Sequence, residues 1–207
     1  TDKGLELVTF CEIFVEKCYG ENLSGQRIID IGAYNGDSTL FFAISGAEAV
    51  AAVEPFPPAV ERIRALIEQN HLGNRVRLFP VGIGAKETEG TFCFFEEDTQ
   101  ANRLEAHMDA GESSMKVQKI QVPIWTFEKL LTELGWDAVD LVKLDCEGCE
   151  YDIFRTTPDE VLRRVRRWVM EFHKGAAPIA DRLAKLGYRV EYEERPDKMG
   201  TLRAERA

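Results

Sequence analysis

The chain has 207 residues, of which 44% are hydrophobic and 30% charged, and its formal net charge is −10. This composition is ordinary for a globular protein, and the length fits one domain that buries roughly 70% of its unfolded surface. The acidic excess argues against nonspecific nucleic-acid binding, because neutralising phosphates requires surplus lysine and arginine. No apolar run approaches the ~20 residues of a membrane span. We therefore predict a protein with neither a nucleic-acid nor a membrane partner.

The N-terminal segment 1–25 is predicted to be helical. Within 5–19, one apolar helical face is predicted from residues that follow one another at spacings of four, three and four: Leu7, Cys11, Phe14 and Cys18. The two cysteines on this face are interpreted as small core hydrophobes. The five cysteines of the chain are odd in number and irregularly spaced, which predicts reduced thiols in a cytoplasmic protein.

Short apolar strands then alternate with helices. The predicted elements are a strand over 27–31, a helix over 37–45, a strand over 49–54, a helix beginning at Pro57 and Pro58, and a strand over 75–80. The strand at 49–54 lacks polar alternation, as is typical of a strand covered on both faces of a parallel sheet. This order predicts the βαβαβ half of an open α/β sheet.

Residues 84–118 interrupt this pattern. Thr91–Phe95 predicts an added strand, whereas 96–115 are polar and show no clear period. A structureless loop of about 20 residues is uncommon inside a compact domain and is often a lid or a binding loop. The alternative is an inserted segment that has no role in chemistry.

The pattern of strands and helices resumes after this segment. Strands are predicted at 119–124, 139–144 and 167–172, one helix follows Thr126, and another begins at Pro178. The chain closes with an antiparallel hairpin of strands at 188–193 and 201–206. No internal repeat or second-domain boundary is apparent in the sequence, so we predict a single α/β domain over 1–207.

Polar residues follow the strands at the edge where open α/β sheets bind their ligands. In chain order these are Asp30 and Gly32–Gly36, then Glu54, Gly82, Asp145, Glu147, Glu150, Glu171 and His173. A glycine turn that opens a helix favours an anionic or zwitterionic ligand. Glu54 ends the second strand, where an acid accepts hydrogen bonds from ribose hydroxyls. We therefore predict a ligand that contains a nucleoside.

Two nucleoside cofactors compete for this site. A nicotinamide dinucleotide usually requires G-x-G-x-x-G, in which glycines let the backbone approach a pyrophosphate. Here the pattern is Gly32-x-x-x-Gly36, and Tyr34 occupies the position of the middle glycine. Bulk at that position suits a ligand without a pyrophosphate, such as S-adenosylmethionine.

Five motifs resemble, in order and spacing, those of the FkbM-type methyltransferase family. They cover about residues 27–175 and comprise Ile29-Asp30-Ile31-Gly32-Ala33-Tyr34-Asn35-Gly36, Val53-Glu54-Pro55, Val122-Pro123-Ile124-x-Thr126, Val142-Lys143-Leu144-Asp145-Cys146-Glu147-Gly148-Cys149-Glu150 and Glu171-Phe172-His173. The resemblance implies a Rossmann-like, seven-stranded class I methyltransferase sheet, mostly parallel, with helices on both faces. It also implies S-adenosylmethionine as cofactor and, for most members, methyl transfer to an oxygen.

The resemblance carries roles over to individual residues. It implies cofactor contacts from Asp30, Gly32, Ala33, Tyr34, Asn35, Gly36, Ser38, Glu54, Gly82 and Asp145, and substrate contacts from Glu147, Glu150 and His173. The chain departs from the family pattern at Cys146 and Cys149, where aliphatic or small residues are more usual. It also departs at Pro80, the residue before Val81, where the family often has a residue with an amide side chain.

Methyl transfer from a sulfonium is an in-line displacement in which the enzyme mainly aligns the acceptor. A base assists a hydroxyl acceptor, and the candidates are His173, Asp145 and Glu171. His173 is favoured because an imidazole needs little tuning of its pKa to act near neutral pH. The alternative is a histidine that only hydrogen-bonds and orients its neighbours.

Two further chemistries are weighed at the same strand ends. A divalent metal could be held by Asp145, Glu147, Glu171 and His173, but carboxylates there equally bind the cofactor or substrate hydroxyls, so we predict none. Cys146-x-x-Cys149 has the spacing of a redox dithiol, but its acidic neighbours and the lack of a second cysteine pair argue against redox or zinc chemistry.

We therefore predict an S-adenosylmethionine-dependent methyltransferase that acts on a hydroxyl of a small molecule or sugar. The alternatives are a nicotinamide-dependent oxidoreductase and a noncatalytic nucleoside-binding module.

Overall fold

A computed structural model describes residues 11–16, 18–20, 22–95, 102–108 and 117–206. The strands are β1 (Arg27–Ile31), β2 (Ala49–Val53), β3 (Val76–Phe79), β4 (Gly82–Ile83), β5 (Thr88–Phe95), β6 (Arg103–Leu104), β7 (Val117–Trp125), β8 (Val139–Leu144), β9 (Val165–Phe172), β10 (Arg189–Glu194) and β11 (Gly200–Glu205). The α-helices are α1 (Asp37–Ile44), α2 (Pro57–Gln69), α3 (Phe127–Leu134), α4 (Cys149–Thr156), α5 (Asp159–Leu162) and α6 (Ala177–Lys185).

Seven strands form the main sheet in the order β3-β2-β1-β8-β9-β11-β10. The first five are parallel, whereas β11 runs antiparallel to both β9 and β10. This confirms the predicted mostly parallel sheet that closes with a C-terminal antiparallel hairpin. Ile31 and Leu144 are register partners at the ends of β1 and β8, so the loops that follow these two strands leave the sheet side by side.

Helices cover both faces of this sheet because the central strands are apolar on both sides. On one face, side chains such as Ile29 and Val142 pack with residues of α3, α4 and α6. On the other face, Ile28 and Leu141 pack with residues of α1 and α2, including Phe42 and Ile63. Across the described residues, no helix combines the length and apolarity required to cross a bilayer.

A second, four-stranded sheet has the order β4-β7-β5-β6. Its side chains Phe92, Leu104 and Ile124 pack on Phe56 and Ala59 at the start of α2. The prediction of an unstructured 96–115 is therefore wrong for 103–107, which form β6 and a 3₁₀ turn over Glu105–His107. A two-residue strand that pairs with a distant strand has no sequence period to reveal it. Residues 96–101 and 109–116 of the predicted lid lie outside the described residues.

The N-terminal segment differs from the predicted helix. Residues 1–10, including Leu7, lie outside the described residues, and Cys11–Val15 form a π-helical turn in which Glu16 N–H donates to the Cys11 carbonyl over 2.9 Å. Ile13 is the buried side chain of this turn, whereas Cys11 and Cys18 are half-buried. The predicted α-helix is corrected to a π-helical turn over Cys11–Val15. Phe14 and Cys18 of the predicted apolar face still pack against the core that contains Ile13.

Candidate active site

The glycines of the loop between β1 and α1 are required by the backbone. Gly32 has φ +78°, and a Cβ there would overlap the backbone carbonyl oxygen of Asp145. Gly36 has φ +87°, forms the N-cap of α1, and would bring a Cβ to 3.3 Å from the side chains of Ile63 and Leu66. The first glycine thus lets the loops after β1 and β8 touch, and the second lets α1 approach α2.

Glu54 connects this loop to the end of β2. Its Oε2 accepts the Tyr34 N–H over 2.9 Å and its Oε1 accepts the Phe56 N–H over 2.8 Å. The side chain is buried, and burial raises the pKa of this carboxyl, although the two backbone hydrogen bonds oppose the shift. Each carboxylate oxygen has a further lone pair, so Glu54 can still accept the ribose hydroxyls for which it was predicted.

A buried ion pair lies beneath the loop. Asp30 is fully buried, and its Oδ2 accepts the hydroxyls of Ser38 over 2.7 Å and Thr39 over 2.6 Å. Its Oδ1 makes no hydrogen bond of good geometry, but the Lys143 ammonium lies 3.3 Å away and balances its charge. Asp30 and Ser38, both predicted to contact the cofactor, thus contact each other and position the loop.

Lys143 connects the two central strands, and sequence analysis gave it no role. Its Nζ donates to the Gly32 carbonyl over 2.7 Å and lies 3.9 Å from Oδ2 of Asp145. Burial alone would lower the pKa of Lys143, but Asp30 and Asp145 outweigh burial and raise it. A lysine inside an otherwise apolar strand could have indicated this role, because a buried lysine almost always has a partner of opposite charge.

The loop between β8 and α4 carries the acidic residues of the site. Asp145 N–H donates to the Ile31 carbonyl over 3.0 Å, and the Asp145 side chain remains 44% exposed. Glu147 and Gly148 both have positive φ, of +54° and +117°. Glu150 is fully buried, and its Oε2 accepts the Gly148 N–H over 2.9 Å.

The prediction that the cysteines are reduced thiols is wrong for one pair. Cys146 and Cys149 form a disulfide in this loop, whereas Cys11, Cys18 and Cys93 are free. The odd number and irregular spacing of the five cysteines conceal one local pair, Cys146-x-x-Cys149, whose separation of three residues was the available signal for a bridge. Here the turn into α4 places the two Cα atoms 5.5 Å apart, within the range that a disulfide spans.

His173 lies between two carboxylates. Its Nδ1 is 2.8 Å from Oε1 of Glu150, its Nε2 is 3.4 Å from Oε1 of Glu147, and its side chain is only 7% exposed. Burial alone would lower the pKa of His173, but Glu147 and Glu150 raise it from 6.5 to about 10. The predicted base role depended on titration near neutral pH. A pKa of about 10 keeps a proton on the imidazole near neutral pH and so does not favour the base role, which stays a prediction.

We expect His173 to remain protonated well above neutral pH in the ligand-free protein. Stability from its contacts with the two carboxylates is fully present below pH 6.5 and is lost as pH rises through about 10, because the folded state holds this proton more tightly. An NMR titration of the imidazole resonances, assigned with His173→Gln, measures this directly. Titration of His173 near pH 6.5 in the intact protein would contradict the expectation.

Glu171 lies two residues before His173, near the end of β9. Its side chain is 35% exposed, and its Oε1 is 3.7 Å from the Arg195 guanidinium. Burial raises the pKa of Glu171, and the charge of Asp145 adds to the rise. Single polar atoms of Asp145, Glu171 and His173 all lie within 4.8 Å of one another, so the ends of β8 and β9 bring three predicted catalytic residues together.

The segment predicted as a possible lid contacts this loop through two residues that sequence analysis missed. Arg103 lies 3.4 Å from Oε2 of Glu147, and His107 Nε2 lies 3.0 Å from Oδ2 of Asp152. A Cβ at Gly148 would lie 2.8 Å from the Cβ of His107. These partners are more than 40 residues apart in the chain, and no local pattern predicts such contacts.

The remaining predicted cofactor residues lie in two places. Ala33 is buried and Asn35 half-buried within the loop after β1. Gly82 lies in β4 of the second sheet, where it pairs with Ile124 and would bring a Cβ to 2.9 Å from the Ile124 side chain. Gly82 is therefore packed against β7 and lies outside the Gly32–Gly36 loop.

Comparisons with known proteins agree with this architecture. Residues 30–190 match the family model described as the Methyltransferase FkbM domain. The 31-O-demethyl-FK506 methyltransferase FkbM of Streptomyces tacrolimicus is 26% identical over an alignment of 219 positions, gaps included, that covers 92% of this chain and 84% of that protein.

Two further similar proteins are much longer than this chain. The AMB antimetabolite synthetase AmbE of Pseudomonas aeruginosa is 24% identical over an alignment of 197 positions, gaps included, that covers 78% of this chain but only 9% of the synthetase. A crystal structure of methyltransferase FkbM from Methylobacillus flagellatus superposes with a TM-score of 0.56 at 12% identity, covering 95% of this chain and 47% of that one. The family match extends over more than half of the chain, which therefore belongs to the FkbM methyltransferase domain family.

Proposed function

We propose that this chain transfers a methyl group from S-adenosylmethionine to a hydroxyl oxygen of a small molecule or sugar. Family membership makes it a methyltransferase; oxygen as the acceptor atom is the proposed part. The observation that carries it is the pair of carboxylates, Asp145 and Glu171, at the ends of neighbouring strands β8 and β9. Two adjacent carboxylates accept hydrogen bonds from hydroxyls, and one of them can take a proton.

The residues after β1 and β2 fit S-adenosylmethionine, the methyl donor of this family. Glu54 is held as a hydroxyl acceptor by two backbone amides, which suits a ribose. The loop of Gly32–Gly36 leads into the N-terminus of α1, and Tyr34 keeps the bulk that a pyrophosphate would not tolerate. The bound cofactor supplies an electrophilic methyl group on a sulfonium sulfur.

Side chains at the ends of β8 and β9 supply the rest of the chemistry. Glu171 is the better proton acceptor, because burial and the charge of Asp145 raise its pKa above that of an ordinary glutamate. Asp145, which is the more exposed carboxylate, orients the acceptor by accepting its hydrogen bond. Protonated His173 is not favoured as a base, and its charge offsets those of Glu147 and Glu150.

Labelled methyl transfer tests the proposal. The chain is incubated with S-adenosylmethionine carrying a radioactive methyl group and a panel of sugars and small alcohols, each paired with its deoxy analogue and an amino analogue. Label should enter hydroxylated acceptors and not their deoxy partners. Transfer confined to the amines would contradict oxygen specificity. Calorimetric binding of NADH, without binding of S-adenosylhomocysteine, would instead support the oxidoreductase alternative.

We expect Glu54→Gln to weaken S-adenosylhomocysteine binding about 10- to 100-fold. A glutamine has one acceptor oxygen, so its NH₂ group must face either the Tyr34 or the Phe56 N–H. Isothermal titration calorimetry measures the effect, with the exposed Glu68→Gln on α2 as the matched control. Equal affinity of Glu54→Gln and Glu68→Gln for S-adenosylhomocysteine would show that Glu54 does not contact the cofactor.

A further inference from the structure

We infer that the acidic end of this site binds one divalent cation through Asp145, Glu171 and Nε2 of His173. What the cation does there rests on the proposed function, whereas its binding does not. The three side chains come from two neighbouring strand ends, and one oxygen of each carboxylate and one imidazole nitrogen lie within 4.8 Å of one another. Oxygen and imidazole ligands bind at about 2.0–2.2 Å, so two ligands of one ion lie at most about 4.4 Å apart. A small side-chain adjustment brings this set within that range.

His173 provides evidence that is independent of the carboxylates. It is 93% buried by side-chain area, since 7% is exposed, and its Nε2 has no hydrogen-bond partner. Glu147 lies 3.4 Å from this nitrogen and is an ionic neighbour without hydrogen-bond geometry. A buried polar atom without a well-formed hydrogen bond is uncommon, and an ordered water or an ion is a usual explanation.

Glu150 orients the imidazole as metal sites require. Its Oε1 lies 2.8 Å from Nδ1 of His173, and its Oε2 is held by the Gly148 N–H over 2.9 Å. A metal-bound histidine almost always donates its other N–H to a carboxylate, which fixes the ring and increases its basicity. The Nδ1 proton is thus committed to Glu150, and Nε2 is the nitrogen left for the cation.

The ligand set selects the class of metal. Two carboxylates and one imidazole suit a divalent transition-metal ion such as Mn²⁺ better than Mg²⁺, which prefers oxygen ligands, and they leave coordination positions for water or an acceptor oxygen. A second group of possible ligands in the described residues consists of Cys146, Cys149 and Glu150. Its two sulfurs are bonded to each other and are not available to an ion.

The cation deepens the proposed reaction without changing its outcome. It binds the acceptor hydroxyl and makes that hydroxyl more acidic, as a bound metal does for water. With the cation bound, Glu171 serves as a ligand in place of its role as proton acceptor, and the hydroxyl proton passes to water. Cation binding itself displaces the Nε2 proton of His173 to solvent, because only the neutral imidazole coordinates.

Electron paramagnetic resonance of Mn²⁺ tests the site directly. Chelator-treated protein is titrated with Mn²⁺, and the signal of the free hydrated ion reports how much remains unbound. We expect one bound equivalent, with binding weakened at least tenfold in Glu171→Gln and in His173→Gln. Glu68→Gln and His71→Gln, which change exposed residues outside the site, should bind as the unaltered chain does. Circular dichroism of each variant checks its folding, and the half-buried Glu171 keeps the test decisive if His173→Gln fails to fold.

The outcomes separate the cation site from the proposed function. Absence of Mn²⁺ binding, or equal binding in Glu171→Gln, overturns the cation site, and hydroxyl methylation at full rate in chelator would then leave the proposed function intact. Binding that is lost in the two site variants supports the cation site, even if no hydroxyl acceptor is ever methylated. In that case the proposed function fails and the cation site stands.

Discussion

Replacing Lys143 by methionine is expected to lower the free energy of unfolding by about 3–5 kcal/mol, because Asp30 then remains as a buried charge without a counter-charge. Asp30 is fully buried, and among the described residues its other side-chain partners are the hydroxyls of Ser38 and Thr39. For a domain of this size the loss corresponds to a fall of about 6–20 °C in Tm. Urea denaturation followed by circular dichroism measures the free energy.

A double variant separates the ion pair from packing. Asp30→Asn combined with Lys143→Met removes both charges, so the two changes together should cost less than their sum. Lys129→Met is the matched control, since Lys129 pairs with Glu133 at the surface, 2.6 Å away, where such pairs contribute about 0–1 kcal/mol. A loss for Lys143→Met no larger than that of the control would show that the pair does not stabilise the sheet.

Replacing Glu171 by glutamine is expected to lower kcat for hydroxyl methylation about 10²- to 10⁴-fold, the usual contribution of a positioned acid or base. The glutamine has nearly the same shape but can neither take up a proton nor balance a cation. Affinity for S-adenosylhomocysteine should be unchanged, because Glu171 lies at the end of β9, whereas Glu54 and the loop of Gly32–Gly36 follow β2 and β1. Steady-state kinetics and calorimetry measure the two quantities separately.

The pH dependence distinguishes a chemical role from a structural one. Activity requires ionised Glu171, so kcat should rise with pH through the pKa of this group, which burial and Asp145 raise above 4.5. This acidic limb should disappear in Glu171→Gln and persist in Glu193→Gln, which changes an exposed residue of the adjacent hairpin. An unchanged limb in Glu171→Gln would assign the titration to another group.

Sequence patterns between neighbouring residues correctly predicted the helices, strands and glycine turn of the central sheet. The helix predicted over 37–45 is Asp37–Ile44, and the apolar runs that flank the glycine loop are β1 and β2. Apolar strands, helix caps and glycine turns depend on neighbouring residues, and the order of these elements restricts the sheet to few topologies. The polar residues predicted after β1, β2, β8 and β9 follow those strand ends for the same reason.

Contacts that depend on the three-dimensional course of the chain were not predictable in this way. The disulfide between Cys146 and Cys149 depends on how the chain turns into α4, and β6 depends on pairing with Phe92 and Cys93. The state of His173 depends on Glu147 and Glu150, whose side chains converge on it only in the folded sheet. Residue types identified the candidate general bases, His173, Asp145 and Glu171. The charges around each side chain and its burial in the folded protein determine which of them is protonated.

The positive φ angles of Tyr34 and Glu147 place conformational strain in the two loops that adjoin through Gly32 and Asp145. A left-handed backbone at such residues costs about 1–3 kcal/mol, so glycine at either position would stabilise the fold in that respect. Tyr34 and Glu147 nevertheless supply the loop bulk and the carboxylate that the site uses. Stability and activity therefore compete at these two positions. Glycine substitutions selected there for heat resistance should lower the turnover of the enzyme.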